Sequence, residues 1–187
     1  MVNHSGGAQG ADMMWEYEAA KYGIETIAYS FPGHAQESKN PHILMGKELQ
    51  EGFEHVKIAE QTLHRNLTNL QSIYVKALLS RNWFQVKNSE AIYAVSSFDN
   101  YSHTIITGGT GWTVQMAIDN NKPAFVFDEP TNAWYVWSTD TKKFEFTNGR
   151  IPMLTENFGG IGSRAITDVG ANAIKQILQH NLGQQNG

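Results

Sequence analysis

The chain has 187 residues, of which 41% are hydrophobic and 11% aromatic, enough for one closed apolar core and too apolar for global disorder. Charged residues are only 17%, and 14 Lys and Arg against 18 Asp and Glu leave a formal net charge of −4, which argues against a binder of nucleic-acid backbone. With no cysteine, disulfides, thiolate zinc sites and thiol catalysis are excluded. The opening Met1-Val2-Asn3-His4-Ser5-Gly6-Gly7 lacks the cationic and apolar segments of a signal peptide. No apolar run approaches the roughly 18 residues of a membrane span. A cytoplasmic chain, with neither membrane nor nucleic acid among its partners, is the expectation.

In chain order, residues 1–4 read as the end of a strand. Residues 8–22 run from a loop into a helix closed by Gly23. Residues 24–29 alternate as a strand, and 30–41, with two prolines and a glycine, read as loop. Leu49, Phe53, Val56 and Leu63 share a helix face. A break near Asn66 is followed by a second helix through Leu70, Ile73, Tyr74, Ala77 and Leu78, with Thr68 and Gln71 spaced as a capping box. Residues 91–95 and 123–127 are apolar runs of the kind buried on both faces of a parallel strand. Between them lie β-branched residues 104–107, a glycine loop at 108–111 and a helix over 112–121. Residues 134–137 and 144–146 flank a polar turn and read as a hairpin, and 151–154 as a further strand. Residues 159–164 read as a second tight loop, 167–182 as a closing helix, and 183–187 as a frayed end. The alternation predicts an α/β fold: a Rossmann-like parallel sheet flanked by helices, with a C-terminal hairpin and helix. It forms a single domain over residues 1–187, divided into a core at 1–128 and a C-terminal hairpin, glycine-rich loop and helix at 129–187.

Two glycine turns join a strand to a helix: Ser5-Gly6-Gly7-Ala8-Gln9-Gly10-Ala11-Asp12 and Thr107-Gly108-Gly109-Thr110-Gly111-Trp112-Thr113. Glycine lets main-chain N–H groups approach an anion, and a helix N-terminus favours negative charge. In an open parallel sheet such turns face one another at the carboxyl ends of the strands. The alternative is that the glycines only allow tight connections. Neither turn is a Walker A or a G-x-G-x-x-G sequence.

The first turn resembles the opening motif of the SLOG superfamily, Rossmann-like proteins that include the LONELY GUY cytokinin-activating phosphoribohydrolases. Residues 81–91 (RNWFQVKNSEA), followed by 108–117 (GGTGWTVQMA), are similar to the molybdenum-cofactor-carrier-like branch and to related bacterial and phage proteins. The likeness runs in motif order over residues 1–128. It implies a Rossmann-like fold and a nucleotide-type ligand. The phosphoribohydrolases carry Pro-Gly-Gly-x-Gly-Thr-x-x-Glu, whose glutamate works in N-glycosidic cleavage. Here Thr107 replaces the proline and Gln115, which cannot act as a general base near pH 7, stands at the glutamate. Gly160-Ile161-Gly162-Ser163-Arg164 resembles a motif that opens some phage members, although in this chain it comes last.

Candidate ligand-binding residues are Ser5, Gly6, Gly7, Gly10, Asp12, Gly108, Gly109, Thr110, Gly111, Trp112, Thr113, Ser163 and Arg164. In a catalytic reading Asp12, Gln115 and Arg81 would act. Asp12 equally suits a helix-dipole role, and Arg81 a helix C-terminus. Trp112 could stack on a base, whereas Trp83 reads as core or interface. Trp134, Tyr135 and Trp137 read as a subunit interface or a lid on the sheet. His4, Asp99 and Asp128 could each touch a ligand or serve the local structure. Among the seven histidines no metal-ligand spacing occurs, so no metal is expected. Three functions follow: a binding protein for a nucleotide or nucleotide-derived phosphate metabolite, a hydrolase of nucleotide N-glycosidic bonds, and a molybdenum-cofactor carrier. No cofactor beyond such a bound nucleotide is called for, and the likeness implies a homo-oligomer.

Overall fold

The structure, a computed structural model, describes residues 1–66, 72–99 and 101–183. The elements are β1 (Val2–Ser5), α1 (Ala11–Ala20), β2 (Glu25–Ser30), β3 (Pro41–Ile43), α2 (Gly46–Leu63), α3 (Ile73–Lys87) and β4 (Ala91–Ser96). They continue with α4 (Gly108–Asp119), β5 (Ala124–Asp128), β6 (Ala133–Ser138), β7 (Lys143–Phe146), β8 (Asn157–Gly162) and α5 (Asp168–Leu182). The strands form one sheet in the order β3-β2-β1-β8-β4-β5-β6-β7. It is parallel from β3 to β5 and antiparallel from β5 to β7. This is the expected α/β architecture. Every residue of β4 is buried, which explains its unbroken apolar run.

Two apolar layers cover the sheet. On one face Trp83, Phe84, Trp112 and Met116, from α3 and α4, pack with Ile92, Val126 and Ile161. On the other, Trp15 of α1 and Ile174, Ile177 and Leu178 of α5 pack with Tyr93, Phe127 and Phe158. The chain leaves β1 through α1 toward β2 and leaves β4 through α4 toward β5, in opposite directions along the sheet. Right-handed crossovers running opposite ways place their helices on opposite faces, which opens a crevice between the two starting strands. Only β8 lies between them.

That strand corrects the tight loop expected at residues 159–164: residues 157–162 are central sheet, and only the chain after Gly162 turns. Glycines sit here because neighbours already fill the space a side chain needs. A Cβ on Gly160 would lie 2.6 Å from the Trp15 indole and 2.8 Å from Asn3 Oδ1. The main-chain N–H of Gly160 donates to that same Asn3 Oδ1 at 3.0 Å. The expected core at residues 1–128 is correspondingly incomplete as a sheet without residues 157–162.

Other boundaries move. No strand forms at 151–154; there Asn181 of α5 accepts from the N–H of Leu154 (2.9 Å) and donates to the carbonyl of Pro152 (3.1 Å), holding the segment off the sheet. The loop expected at 30–41 runs into the short edge strand β3. Helix α4 begins at Gly108 instead of residue 112, so the second glycine turn is the first turn of the helix. Helix α2 ends at Leu63, before the expected break, with His64 in the left-handed conformation. The capping box at Thr68 and Gln71 lies outside the described residues, as do residues 184–187 of the expected frayed end. Ser72 caps α3, accepting from the N–H of Val75 at 3.3 Å. The hairpin at 134–146 continues the sheet and buries Trp134, Tyr135 and Phe144 within the chain. Among the described residues, no helix is long and apolar enough to cross a membrane.

Candidate functional site

A cavity of about 550 Å3 opens at the carboxyl ends of β1, β8 and β4, in the crevice between the two sheet halves. Its wall includes Asp12, Arg81, Gly108, Gly109, Thr110, Trp112, Thr113, Ser163 and Arg164, all singled out in the sequence. The two glycine turns therefore meet on one side of the sheet. Their amides, however, do different things.

The first turn closes around Asp12. The Asp12 carboxylate accepts from the N–H of Ala8 at 3.3 Å, and the amides of Gly6 and Gly162 also donate to it. The hydroxyl of Ser5, fully buried, accepts from the N–H of Gly7 at 3.2 Å. These main-chain donors, expected to receive a ligand anion, are occupied by the protein's own carboxylate and hydroxyl. Ser5, Gly6, Gly7 and Gly10 stand behind the cavity instead of on its wall. Gly6 is glycine for room: a Cβ would overlap the Arg81 guanidinium and lie 2.6 Å from Asp12 Oδ2. At Gly10 a Cβ would lie 2.6 Å from the Cα of Arg164. The adjacent N–H of Ala11 donates to the carbonyl of Ser163 at 3.0 Å. The first turn thus fixes the Asp12–Arg81 pair and the segment after β8.

The second turn remains open. Thr107 is the N-cap residue of α4, yet its side chain does not cap the helix. Its hydroxyl lies against those of Ser96 (3.2 Å) and Ser97 (3.3 Å). The first N–H groups of a helix have no partner within it, so this end of α4 presents amides and the positive end of a dipole to the cavity. Arg65, which the sequence reading passed over, anchors the turn, donating to the carbonyls of Gly108 and Ile106 at 3.0 Å each. Gly111 is packed against the Ile106 carbonyl, away from the cavity. Trp112 lines the cavity while most of its ring belongs to the core.

The charges are unbalanced. Arg81 and Arg164 both border the cavity, with Asp12 the carboxylate on its wall. Arg81 is 6% exposed, and its Nε is buried without a hydrogen-bond partner. Burial lowers the Arg81 pKa, and Arg164 lowers it further, partly offset by Asp12. Burial raises the Asp12 carboxyl to about 6, although Arg81 and the three amides hold it down. His34, nearly buried behind the first turn, is pushed down to about 4 by burial and by the two arginines. Arg164 is exposed at the rim, where it also borders an adjoining cavity of about 340 Å3.

Gln115 does not line the cavity. Its amide donates to Asp119 Oδ1 at 2.9 Å, and Thr62 donates to the other oxygen of that carboxylate at 3.2 Å, so Gln115 serves the contact between α4 and α2. Asp128 accepts from the N–H groups of Phe98 and Thr131, at 3.1 Å each, and from the Thr131 hydroxyl at 2.7 Å, which makes it turn chemistry. Asp99 pairs with Arg65 at 3.4 Å. His4 is hydrogen-bonded to the Tyr29 hydroxyl at 2.9 Å. Trp83 stacks on His55 and donates to Glu51 at 2.9 Å. Among the described residues, no group of His, Asp and Glu is placed to hold a metal ion. Asn82, Gln85 and Ser96 line the cavity and were missed. For Asn82 and Gln85 the signal was present in RNWFQ, where polar side chains at 81, 82 and 85 share one face of a buried helix.

The fold has been seen before in a crystal structure. It is similar to that of a protein from Syntrophus aciditrophicus SB described as "Putative molybdenum carrier protein", with a TM-score of 0.51 and 17% identity. The match covers 95% of this chain and 92% of that one. At that identity the likeness concerns the fold. No family model and no curated protein matches the chain.

Proposed function

We propose that the cavity binds a nucleotide or nucleotide-derived phosphate metabolite, and that the chain is a SLOG-like binding protein. One observation carries the reading. Two arginines and the uncapped start of α4 border one cavity, and Asp12, the one carboxylate there among the described residues, is already wrapped by main-chain amides. Positive charge with free amides at a helix start suits a phosphate. Thr110, Thr113 and Ser163 supply hydroxyl groups, and Trp112 an aromatic surface. The Syntrophus protein is described as a molybdenum carrier, which lends loose support to the molybdenum-cofactor-carrier reading.

The test is thermal melting with a panel of nucleoside monophosphates. Ligand at 100 times its Kd adds about 2.7 kcal/mol, roughly 5–10 °C for a domain of this size. A Cβ on Gly109 would meet no protein atom within 4 Å. Gly109→Val is therefore expected to keep the fold, to crowd the cavity wall at the start of α4 and to abolish the shift. A wild-type protein indifferent to the whole panel, and to pterin phosphates, sinks the reading.

A second reading, N-glycosidic hydrolysis, draws on Asp12. A carboxyl raised to about 6 at a cavity wall is matched to proton transfer near neutrality. Release of free base from a nucleotide, lost in Asp12→Asn, is its expected signature. Nucleotide binding without release favours the binder.

A further inference from the structure

The adjoining cavity of about 340 Å3 is bordered by Arg164, Gln9, Ala35, Gln36, Glu37 and Tyr74. The two cavities share their walls: Ala8 and Val75 border the first, their chain neighbours Gln9 and Tyr74 border the second, and Arg164 borders both. They therefore lie side by side with Arg164 at the boundary. Arg164 is exposed and has no carboxylate partner among the described residues. The second cavity is built against the first glycine turn, where the N–H of Glu37 donates to the carbonyl of Gly7 at 2.9 Å.

The two spaces differ in chemistry. Arg81, hydroxyl groups and the start of α4 make the first suited to phosphate. The second has a carboxylate, which repels phosphate, and two carboxamides. One oxygen of Glu37 accepts from the Gln9 amide at 2.5 Å, and the other has no partner among the described residues. Tyr74 meets Phe31 edge to face, with ring centroids 5.5 Å apart, and is still 42% exposed. An aromatic ring with a free carboxylate oxygen and amides is the set that takes a ribose or a heterocyclic base.

We propose that the second cavity is a subsite for the other half of a dinucleotide: one nucleotide occupies the first cavity, the linking pyrophosphate lies at Arg164, and the second nucleoside enters the space bordered by Tyr74 and Glu37. The proposal rests on the phosphate-metabolite reading above and adds the class of ligand. Two arguments favour a two-part ligand. At about 550 Å3 the first cavity is already the size of a small-molecule site, so a mononucleotide leaves the second unused. A phosphate bonded on both sides also carries less charge than a terminal one, which suits a boundary with Arg164 on it and Glu37 beyond.

The experiment measures affinity, by titration calorimetry, for the monophosphates and diphosphates of adenosine, guanosine, cytidine and uridine, and for the symmetrical pyrophosphate-linked dinucleotide of each. Wild type, Ala35→Trp and Glu37→Ala are compared. Ala35 is exposed and borders only the second cavity, so an indole there obstructs that space and leaves the first open. The expected result is a dinucleotide that binds wild type roughly tenfold or more tightly than its diphosphate. That gain is lost in Ala35→Trp and reduced in Glu37→Ala, with monophosphate and diphosphate affinities unchanged in both. No gain in wild type, or a gain that survives Ala35→Trp, overturns the subsite and leaves the first cavity's reading standing. An equal loss of monophosphate affinity in Ala35→Trp overturns it too, because the two spaces would then act as one. A wild type that binds none of these compounds overturns the underlying site reading as well, which separates the two failures.

Discussion

Asp12 shows how a residue can be found in a sequence for one reason and matter for another. It sits in the first turn of α1, where the dipole favours a carboxylate, but it also fills the amide nest that the glycine turn builds. Its proton is expected to be visible in the pH dependence of stability. The carboxyl rises from about 3.8 unfolded to about 6 folded. Between these values the folded state binds more proton, so Asp12's contribution falls as pH rises from about 4 to 6, by up to roughly 1.4 kcal/mol per pH unit, and is flat above. His34 works the other way in an overlapping window, because its folded value lies below 6.5 and it must charge as pH falls. Wild-type stability alone therefore mixes the two slopes. The difference between Asp12→Asn and wild type isolates the carboxyl: the variant should gain on wild type as pH rises from 4 to 6, in urea melts at each pH. A difference that is flat across that window would mean Asp12 is ionised throughout.

Among the elements, β8 and α4 show what periodicity and composition can and cannot say. The apolar runs of β4 and β5 were legible because both faces are buried and every residue follows the same rule. Gly159-Gly160 in β8 violates strand propensity, and the reason lies in distant residues, Ile92 against Gly159 and Trp15 and Asn3 against Gly160, that no local pattern exposes. The cavity residues divide similarly. Glycine turns are visible in sequence because backbone constraints are local. Gln115 was placed by analogy, yet it faces Asp119, since helix rotation decides which side chains reach the crevice. Arg65 was overlooked because its partners, the carbonyls of Ile106 and Gly108, come from a distant segment. The two kinds of glycine should respond oppositely to one methyl group. Gly160→Ala is expected to cost about 1–3 kcal/mol by overpacking against Trp15. Gly109→Ala, with open space around its Cβ, is expected to change stability by less than about 1 kcal/mol. Chemical denaturation of the pair checks both, and equal costs would remove the packing account of β8.

At the scale of the molecule, the last strand in the chain is the one that joins the sheet. Without β8, the three strands β3-β2-β1 and the four strands β4-β5-β6-β7 have no shared ladder, because β8 pairs with β1 on one side and β4 on the other. The same segment ends in Ser163 and Arg164, which close the cavity, and leads into α5, whose Ile174, Ile177 and Leu178 cover one face of the sheet. The C-terminal segment thus contributes both to the sheet and to the cavity wall, and residues 1–128 lack the strand that joins the two halves of the sheet. A chain ending at Gly149 is expected to lack a cooperative thermal transition and to give no nucleotide-dependent shift. Restoring residues 150–183 in trans as a peptide should recover both at once, since one strand supplies the ladder and the cavity wall. Near-native cooperative melting of the shortened chain would show that the two sheet halves hold together through their helices, and would detach the integrity of the site from that of the sheet.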